Sequence, residues 1–249
     1  MSEDVRLIPE KYCFLSGSLL KLLAVIVMLI DHTAAFVLYL YKPAMQPILF
    51  IGSYELSLYK IMRYIGRTAF PIFVFLLVEG FCHTHNKKKY GINLLIFAVL
   101  SELPWNLLHS GTCFYDKQNV FFTLLLGYIG MVVIERYKDT KIVLSKIKQA
   151  AILFVLLLLS MLLKADYGVV GFGYVVLIYI LRDNRIFQIL LGICFLPSKW
   201  IGGLAFIPIN LYNGKRGFIK GNIAKYFFYG FYPLHMICLY IIRRMIFGV

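Results

Sequence analysis

An acidic and a basic side chain lie next to each other within the first long apolar run of this sequence. The run extends over residues 19–40, and Asp31 and His32 lie beyond its midpoint. Ionisable groups at membrane depth cost about 2.5 to 3.5 kcal/mol each, so they usually face a cavity or a partner. A neutral imidazole accepts a proton near physiological pH, and a neighbouring carboxylate fixes its tautomer or raises its basicity. The pair therefore predicts a general base, with a buried hydrogen-bonded pair as the structural alternative.

Two arginines four residues apart open the second apolar run. Arg63 and Arg67 share one helix face, Gly66 leaves room for close approach, and Pro71 is expected to kink the helix beyond them. Two inward-facing guanidiniums would neutralise Asp31 or bind a phosphate or carboxylate. For Arg63 alone, a side chain that reaches out to the membrane interface is an equally good interpretation.

Further polar residues mark the later apolar runs. Glu102, Asn106 and His109 fall at i, i+4 and i+7, so they form one stripe on an otherwise apolar helix, and such a stripe must face protein or water. His235 lies at mid-depth in the last run. With Asp31 and His32, these residues predict one polar cavity lined by several helices. Asn119 and Asp166 are expected in the same outer half of the membrane, whereas Glu79 ends the second run at the cytoplasmic face.

The composition indicates that the elements carrying these residues are membrane helices. The 249-residue chain is 61% hydrophobic and 15% charged, and its mean hydropathy is +0.79, whereas soluble domains are about 45 to 50% apolar. About 20 apolar residues of helix cross a bilayer, and several runs here reach or approach that length. The long continuous runs exclude a porin-like barrel, whose strands alternate in short segments. We predict a single all-α domain, a polytopic helical membrane bundle, over residues 1–249.

We expect about eight to nine transmembrane helices, including one short or re-entrant pair. The predicted spans are 19–41, 62–82, 91–109, 118–135, 148–163, 167–181, the short pair 186–196 and 199–212, and 226–242. Nine crossings, or seven crossings with a re-entrant pair, fit equally well. We attribute the net charge of +14 to basic residues that set the orientation of the protein in the membrane, and not to nucleic-acid binding. Lys and Arg concentrate in the loops on the N-terminal side, so we expect a cytoplasmic N-terminus in a bacterial inner membrane.

A basic loop follows the second span. His83 and His85 have H-x-H spacing, but no third ligand lies nearby, so we predict no metal site. The run of three lysines that begins at Lys87 predicts a topology anchor that also contacts lipid phosphate. The same charges suit an anionic cytosolic cofactor.

Six separated sequence blocks, in one order, resemble the TraX family of bacterial membrane proteins. The blocks are K-x-L-A-x-x-x-M-L-I-D-H at 21–32, R-x-x-G-R-x-A-F-P-I-F-x-F at 63–75, E-G-F-x-H-T-x-N-x-x-K-Y at 79–90, S-E-L-P-x-N at 101–106, A-D-Y-G-x-x-G at 165–171 and F-Y-P-L-H at 231–235. The family's best-known member acts in conjugative pilus biogenesis and is associated with N-terminal acetylation of pilin. More distantly, the family is similar to multi-span acyltransferases that carry an acetyl group from cytosolic acetyl-CoA to an acceptor across the membrane.

The resemblance implies an acetyl-CoA-dependent acetyltransferase. Its acceptor would be an amine, such as the N-terminus of a pilin or small secreted peptide, or a hydroxyl such as that of a glycan. The positions expected to be functional by match are Asp31, His32, Arg67, Glu79, Glu102 and His235. CoA carries several phosphates, and we expect it to enter from the cytosolic side against Asn86, Lys87, Lys88, Lys89 and Tyr90.

In this reaction we assign His32 as the general base, oriented by Asp31, with His235 or Glu102 supporting it or sharing its proton. An alternative is that His32 is acetylated first and passes the group on. The substrate-binding set comprises Arg63, Arg67, Asn106, Asn119, Asp166 and Glu79, of which Arg67 and Asn119 would polarise the thioester carbonyl. Two other functions also fit the sequence: a proton-coupled transporter, since buried ionisable residues also form proton relays, and a non-enzymatic assembly factor for a secreted filament.

Overall fold

Helices make up most of the computed structural model, which describes residues 7–52, 54–196, 200–219 and 221–248. The helices, numbered in chain order, are α1 Gly17–Phe36, α2 Lys42–Met45, α3 Leu58–Gly66, α4 Ala69–His83, α5 Lys87–Ser110, α6 Val120–Arg136, α7 Val143–Leu162, α8 Gly168–Ile180, α9 Arg185–Cys194, α10 Trp200–Leu204, α11 Phe206–Asn210 and α12 Gly221–Phe247. Two short strands, β1 Pro47–Ile51 and β2 Tyr54–Ser57, pair antiparallel between α2 and α3. The prediction of a helical bundle is confirmed, apart from this hairpin.

Four helical segments are long and apolar enough to cross a membrane, counted over the described part of the chain. They are Gly17–Leu40, Leu58–His83, Lys87–Ser110 and Val143–Leu162. Three shorter apolar segments accompany them: Gly168–Ile180, Arg185–Cys194 and Trp200–Asn210. The predicted membrane bundle agrees with these segments, but the larger number of eight to nine crossings is not confirmed by them.

The bundle has two ends, which we name after α1: the near end, where α1 begins, and the far end, where α1 finishes. At the near end, the loop after α11 lies along the start of α1, where the Leu15 N–H donates to the Leu211 carbonyl (2.9 Å) and the Gly17 N–H donates to the Lys215 carbonyl (2.8 Å). At the far end, the Arg243 guanidinium of α12 donates to the Leu108 carbonyl of α5 (2.7 Å). The first contacts attach the loop after α11 to the start of α1, and the last joins the end of α12 to the end of α5.

The segment α9–α11 is too short to reach the far end and come back as two full crossings. It starts after α8, whose Tyr179 ring packs at the near end on Phe81, and it finishes where the Asn213 N–H donates to the Leu15 carbonyl (2.9 Å). Both ends of the segment are therefore at the near end. Residues 197–199, which belonged to the predicted short pair, lie outside the described residues.

The predicted single helix over 62–82 is in fact two helices. The chain turns between α3 and α4 at Arg67 and Thr68, and the Thr68 hydroxyl donates to the Ile65 carbonyl (2.7 Å). Pro71 lies in the first turn of α4, where a missing N–H is tolerated, so the break precedes the proline. This turn lets both arginines of the second run point toward α1.

Gly66 is the point of closest approach between α1 and α3. A Cβ built on Gly66 would overlap the Asp31 side chain. The packing of α3 on α1 therefore requires glycine here, and it brings the backbone of α3 against the carboxylate of α1. This contact positions the charged groups described below.

We predict that Gly66→Ala destabilises the protein, because the added methyl group overlaps Asp31 and overpacking of this kind costs about 1 to 3 kcal/mol. Thermal unfolding of purified protein in detergent should show a midpoint lowered by several degrees. Gly230→Ala is the matched control, since a Cβ on that helical glycine meets only Leu234 at 4.0 Å. An unchanged midpoint for Gly66→Ala would contradict this packing.

Candidate functional site

Two histidines from the first and last long helices meet toward the far end of the bundle. Nδ1 of His32 lies 2.7 Å from Nε2 of His235, and the two rings stack with centroids 4.9 Å apart. His235 is only 5% exposed, whereas His32 is partly exposed. The sequence prediction that α1 and α12 bring these two side chains together agrees with this geometry.

The second nitrogen of His235 determines which tautomers the pair adopts when both rings are neutral. Nδ1 of His235 lies 2.9 Å from the Phe231 carbonyl. A carbonyl oxygen only accepts, so the His235 proton is on Nδ1 and its Nε2 is left as an acceptor. His32 must then donate from Nδ1 to that acceptor. The lone pair of His32 is consequently on Nε2, the nitrogen that faces away from His235.

Asp31 pairs with Arg63 rather than with the neighbouring imidazole. The Asp31 carboxylate lies 2.6 Å from the Arg63 guanidinium, and both side chains are about four-fifths buried. Adjacent residues on a helix point about 100° apart, so Asp31 faces α3 while His32 faces α12. His235, not Asp31, orients His32. The other carboxylate oxygen of Asp31, Oδ1, is buried and has no hydrogen-bond partner among the residues that the structure describes.

Arg67 lies between two acidic residues. Its charge interacts with Asp31 and with Asp166, and its guanidinium also contacts the Tyr167 phenol. Asp166 lies in the turn before α8, and burial raises the pKa of its carboxyl to about 6. The two arginines and two aspartates form a cluster with equal numbers of basic and acidic side chains. This cluster lies next to the histidine pair because Asp31 and His32 are adjacent in the sequence.

The turn before α8 has an unusual backbone. Tyr167 has φ of +63°, a conformation that is rare for a residue with a large side chain, and its ring stacks on Phe70 with centroids 3.9 Å apart. The Thr123 hydroxyl holds the turn by donating to the Asp166 carbonyl. Strain of this kind is common at functional sites. The polar pattern of the sequence did not identify Tyr167 as a residue of the site, although it lies within the A-D-Y-G block.

Glu102 and Asn119 contact each other instead of the histidines. The Glu102 carboxylate accepts from the Asn119 side chain and from its backbone N–H. The same Asn119 caps α6 by accepting from the Phe121 N–H (3.0 Å), and its amide donates to the Ala98 carbonyl (2.8 Å). These bonds tie α5 to the start of α6, so both residues position helices around the site.

The other residues of the α5 stripe also contact neighbouring backbone. The Asn106 amide donates to the Cys113 carbonyl (3.0 Å), and Nδ1 of His109 donates to the Trp105 carbonyl (2.9 Å). The ring of Phe36 lies between His109 and the histidine pair. Its centroid is 4.6 Å from that of the His109 ring, and it also packs edge-on against His32. The stripe therefore faces protein, as its spacing predicts.

Tyr232 connects the two parts of the site. Its ring lies edge-on to both His32 and His235, with centroids 6.3 Å and 5.6 Å away, and also edge-on to Phe121 of α6, with centroids 5.1 Å apart. It is 5% exposed. The signal for Tyr232 in the sequence is its place one turn before His235.

The residues predicted to bind CoA divide into two groups. Asn86 caps α5 through the Lys89 N–H (2.8 Å), Lys87 pairs with Glu135, and Tyr90 packs against Gly80 and the Tyr128 ring, so these three have structural contacts. Lys88 and Lys89 have exposed side chains. The structure therefore does not gather all five residues around one opening.

Glu79 lines a cavity at the near end, far from the histidine pair. The cavity has a volume of about 220 Å³ and is also lined by His83, Arg185, Asn210 and Tyr212. In the described part of the chain, no group of three or more His, Cys, Asp or Glu side chains is arranged to hold a metal ion.

We predict that Asn119→Ala destabilises the protein more than removal of an ordinary helix cap. It removes the cap of α6, worth about 1 kcal/mol, and it takes the side-chain donor away from the Glu102 carboxylate, which costs about a further 1 to 3 kcal/mol, while the backbone N–H of residue 119 still donates. Asn86→Ala is the matched control, because it caps α5 without a carboxylate partner. Equal losses of thermal stability in the two variants would contradict the positioning role of this pair.

Comparison with known proteins is consistent with a pilus-related membrane protein. The probable fimbrial assembly protein FimC, serogroup H1, of Dichelobacter nodosus is 26% identical over 247 residues, which covers 88% of this chain and 92% of that protein. No solved structure matches the chain. The family model described as TraX protein matches residues 16–243, almost the whole chain and every residue of the far-end site. The chain belongs to the TraX family.

Proposed function

We propose that this protein is a membrane-embedded acetyltransferase that moves an acetyl group from cytosolic acetyl-CoA to an amine, such as the N-terminus of a pilin or small secreted peptide. A hydroxyl acceptor would use the same chemistry. The observation that carries the proposal is the hydrogen-bonded pair His32 and His235, in which the Phe231 carbonyl leaves a basic nitrogen on His32.

The proposed direct reaction uses that nitrogen as a general base. The acceptor amine attacks the thioester carbonyl while Nε2 of His32 takes the amine proton. The C–S bond then breaks, and the proton leaves His32 with the thiolate as CoA-SH. When His32 is protonated, its Nδ1–H bond to His235 becomes charge-assisted and therefore stronger, which favours the proton transfer.

The same nitrogen would also serve a two-step route. Nε2 of His32 would attack the thioester and carry the acetyl group as an acetylimidazole before the amine takes it. Ping-pong kinetics supports this route, and a sequential pattern supports direct transfer.

The charged cluster beside the histidines suits the developing oxyanion. The Asp31 carboxylate pairs with Arg63 and packs against Gly66, so its role would be to position α1 and α3. Arg67, which lies beside Asp31 and Asp166, would stabilise negative charge on the carbonyl oxygen. Asn119 would act indirectly, because its donors are used by Glu102.

We further propose that the near end faces the cytoplasm of a bacterial inner membrane, as the distribution of Lys and Arg predicts. The far-end site would then lie toward the outer side, where an exported filament subunit is accessible. In this topology α1, the combined α3–α4 segment, α5, α6, α7, α8 and α12 cross the membrane, while α9–α11 enters and leaves at the near end.

The rival function with some specific support is filament assembly without catalysis. The relative from Dichelobacter nodosus is named a probable fimbrial assembly protein, and that name implies no reaction. A basic nitrogen that is oriented by a second, buried histidine favours the enzyme, since pure assembly does not require it. A proton-coupled transporter would use the same histidines, but would move protons without acetyl transfer.

We predict that reconstituted protein transfers label from acetyl-CoA to short peptides with free α-amines. His32→Gln should lower the rate by about 10² to 10⁴-fold, the usual contribution of a general base. Mass spectrometry of the peptides measures the transfer, and peptides with blocked N-termini test whether the α-amine is the acceptor.

His85→Gln is the matched control, because His85 is an exposed histidine in the loop between α4 and α5. Its rate should equal that of the wild type. Full activity in His32→Gln would contradict the assigned base. Proton flux into liposomes without any acetylated product would instead support the transporter.

A further inference from the structure

Four basic side chains converge at the near end of the bundle. They are Lys21 of α1, Lys89 of α5, Arg216 of the loop between α11 and α12, and Lys225 of α12, and together we call them the basic cluster. Lys21 is repelled by Arg216 and Lys225, and Lys225 is also repelled by Lys89 and Arg216. Four separate parts of the chain therefore bring like charges within electrostatic reach of one another.

No carboxylate among the described residues forms an ion pair with any member of the basic cluster. Lys87, which lies two residues before Lys89 on α5, is by contrast paired with Glu135 of α6. The contacts that the cluster does make are with aromatic faces: Lys21 lies 5.5 Å from the Phe228 ring centroid, and Lys225 lies 5.4 Å from that of Tyr226. Basic residues that only set the orientation of a protein in the membrane need to be exposed, but they need not lie close to one another. Lys21 and Lys225 are partly buried, whereas Lys89 and Arg216 are exposed, so an anion that enters from the solvent side can reach all four and offset their repulsion.

The backbone that carries Arg216 is firmly attached to the start of α1. The Arg216 carbonyl accepts two hydrogen bonds from Ser18, one from the backbone N–H (2.9 Å) and one from the hydroxyl (2.7 Å). The next residue, Gly217, has φ of +85°, and a Cβ there would overlap Ser16. The loop is thus held over α1, and the backbone of Arg216 is fixed beside the first turn of that helix.

The basic cluster is aligned with the histidine pair. Lys21 and His32 are eleven residues apart, which is about three full turns of helix, so they lie on the same face of α1 within roughly 20° and about 16 Å apart along its axis. The helix α12 likewise supplies Lys225 at the near end and His235 toward the far end. The cluster and the proposed catalytic base therefore lie along the same α1–α12 interface.

We propose that the basic cluster binds a ligand that carries more than one phosphate group. Two phosphates at neutral pH carry enough negative charge to relieve the repulsion among four cations, and arginine suits phosphate through its paired N–H donors. The proposal rests on the proposed function in one respect: the donor CoA is then the ligand, held by its phosphates while its thioester extends toward His32. A lipid with two phosphates, such as cardiolipin, has the same chemistry.

The test measures CoA binding to purified full-length protein in nanodiscs of phosphatidylcholine, at low salt. Arg216→Gln and Lys225→Gln should each weaken CoA binding by about tenfold or more, since each removes a cation that donates charge-assisted hydrogen bonds to phosphate. Arg216→Lys should retain part of the affinity. Lys138→Gln is the matched control, because Lys138 is an exposed lysine between α6 and α7, and it should bind CoA as the wild type does.

A second experiment determines whether CoA or a lipid with two phosphates occupies the basic cluster. Native mass spectrometry of the same variants with added cardiolipin measures lipid retention. Loss of cardiolipin but not of CoA binding in Arg216→Gln and Lys225→Gln would support a phosphate site that is filled by lipid. CoA and cardiolipin binding that are both insensitive to Arg216 and Lys225 would overturn the proposal.

The outcomes separate this proposal from the proposed function. If CoA binding depends on the cluster but no acetyl transfer occurs, the phosphate site stands and the acetyltransferase fails. If transfer occurs and both the KM for acetyl-CoA and cardiolipin retention are the same in Arg216→Gln, Lys225→Gln and wild type, the acetyltransferase stands and the phosphate site fails.

Discussion

The hydrogen bond between His32 and His235 is the interaction on which the rest of this account depends. A buried imidazole must satisfy two nitrogens, and an unpaired polar atom in an apolar interior costs several kcal/mol. His235 meets this requirement with the Phe231 carbonyl on one side and His32 on the other. The bond joins the first long helix to the last, and it leaves one nitrogen of His32 without a partner from either helix.

The other buried polar groups surround this bond in pairs that hold helices in place. Asp31 with Arg63 joins α1 to α3, Glu102 with Asn119 joins α5 to α6, and Arg67 lies near the turn that begins α8. Within a bilayer these contacts have little competition from water, so each fixes the relative position of two helices. Nε2 of His32 is thereby held by a frame of paired helices rather than by a loop.

Much of the frame could be predicted from hydropathy, because apolar runs of the right length leave few alternatives to membrane helices. The starts of α1, α6 and α9 also carry cap residues, Ser16, Asn119 and Asn184. The break between α3 and α4 was not predicted. The sequence indicated a kink at Pro71, whereas the chain turns earlier, at Arg67 and Thr68. The strand hairpin was missed because its apolar residues have no distinctive period.

The residues of the site were predicted more completely than their partners. Burial cost alone identifies Asp31, His32, Glu102 and His235 as exceptional, but it does not say which of them meet. Adjacency in sequence favoured Asp31 as the partner of His32, whereas helical geometry sends the two side chains to different neighbours. The role of Phe231 depends on a backbone carbonyl, and no side-chain pattern reveals that.

The most direct test of the central claim is nitrogen NMR of histidine-labelled protein in lipid, with His32→Gln used to assign the His32 signals. The account predicts that neutral His32 carries its proton on Nδ1, that its Nε2 has a free lone pair, and that a coupling across the hydrogen bond links His32 Nδ1 to His235 Nε2. A His32 ring with its proton on Nε2, or two histidine rings with no coupling between them, would contradict it.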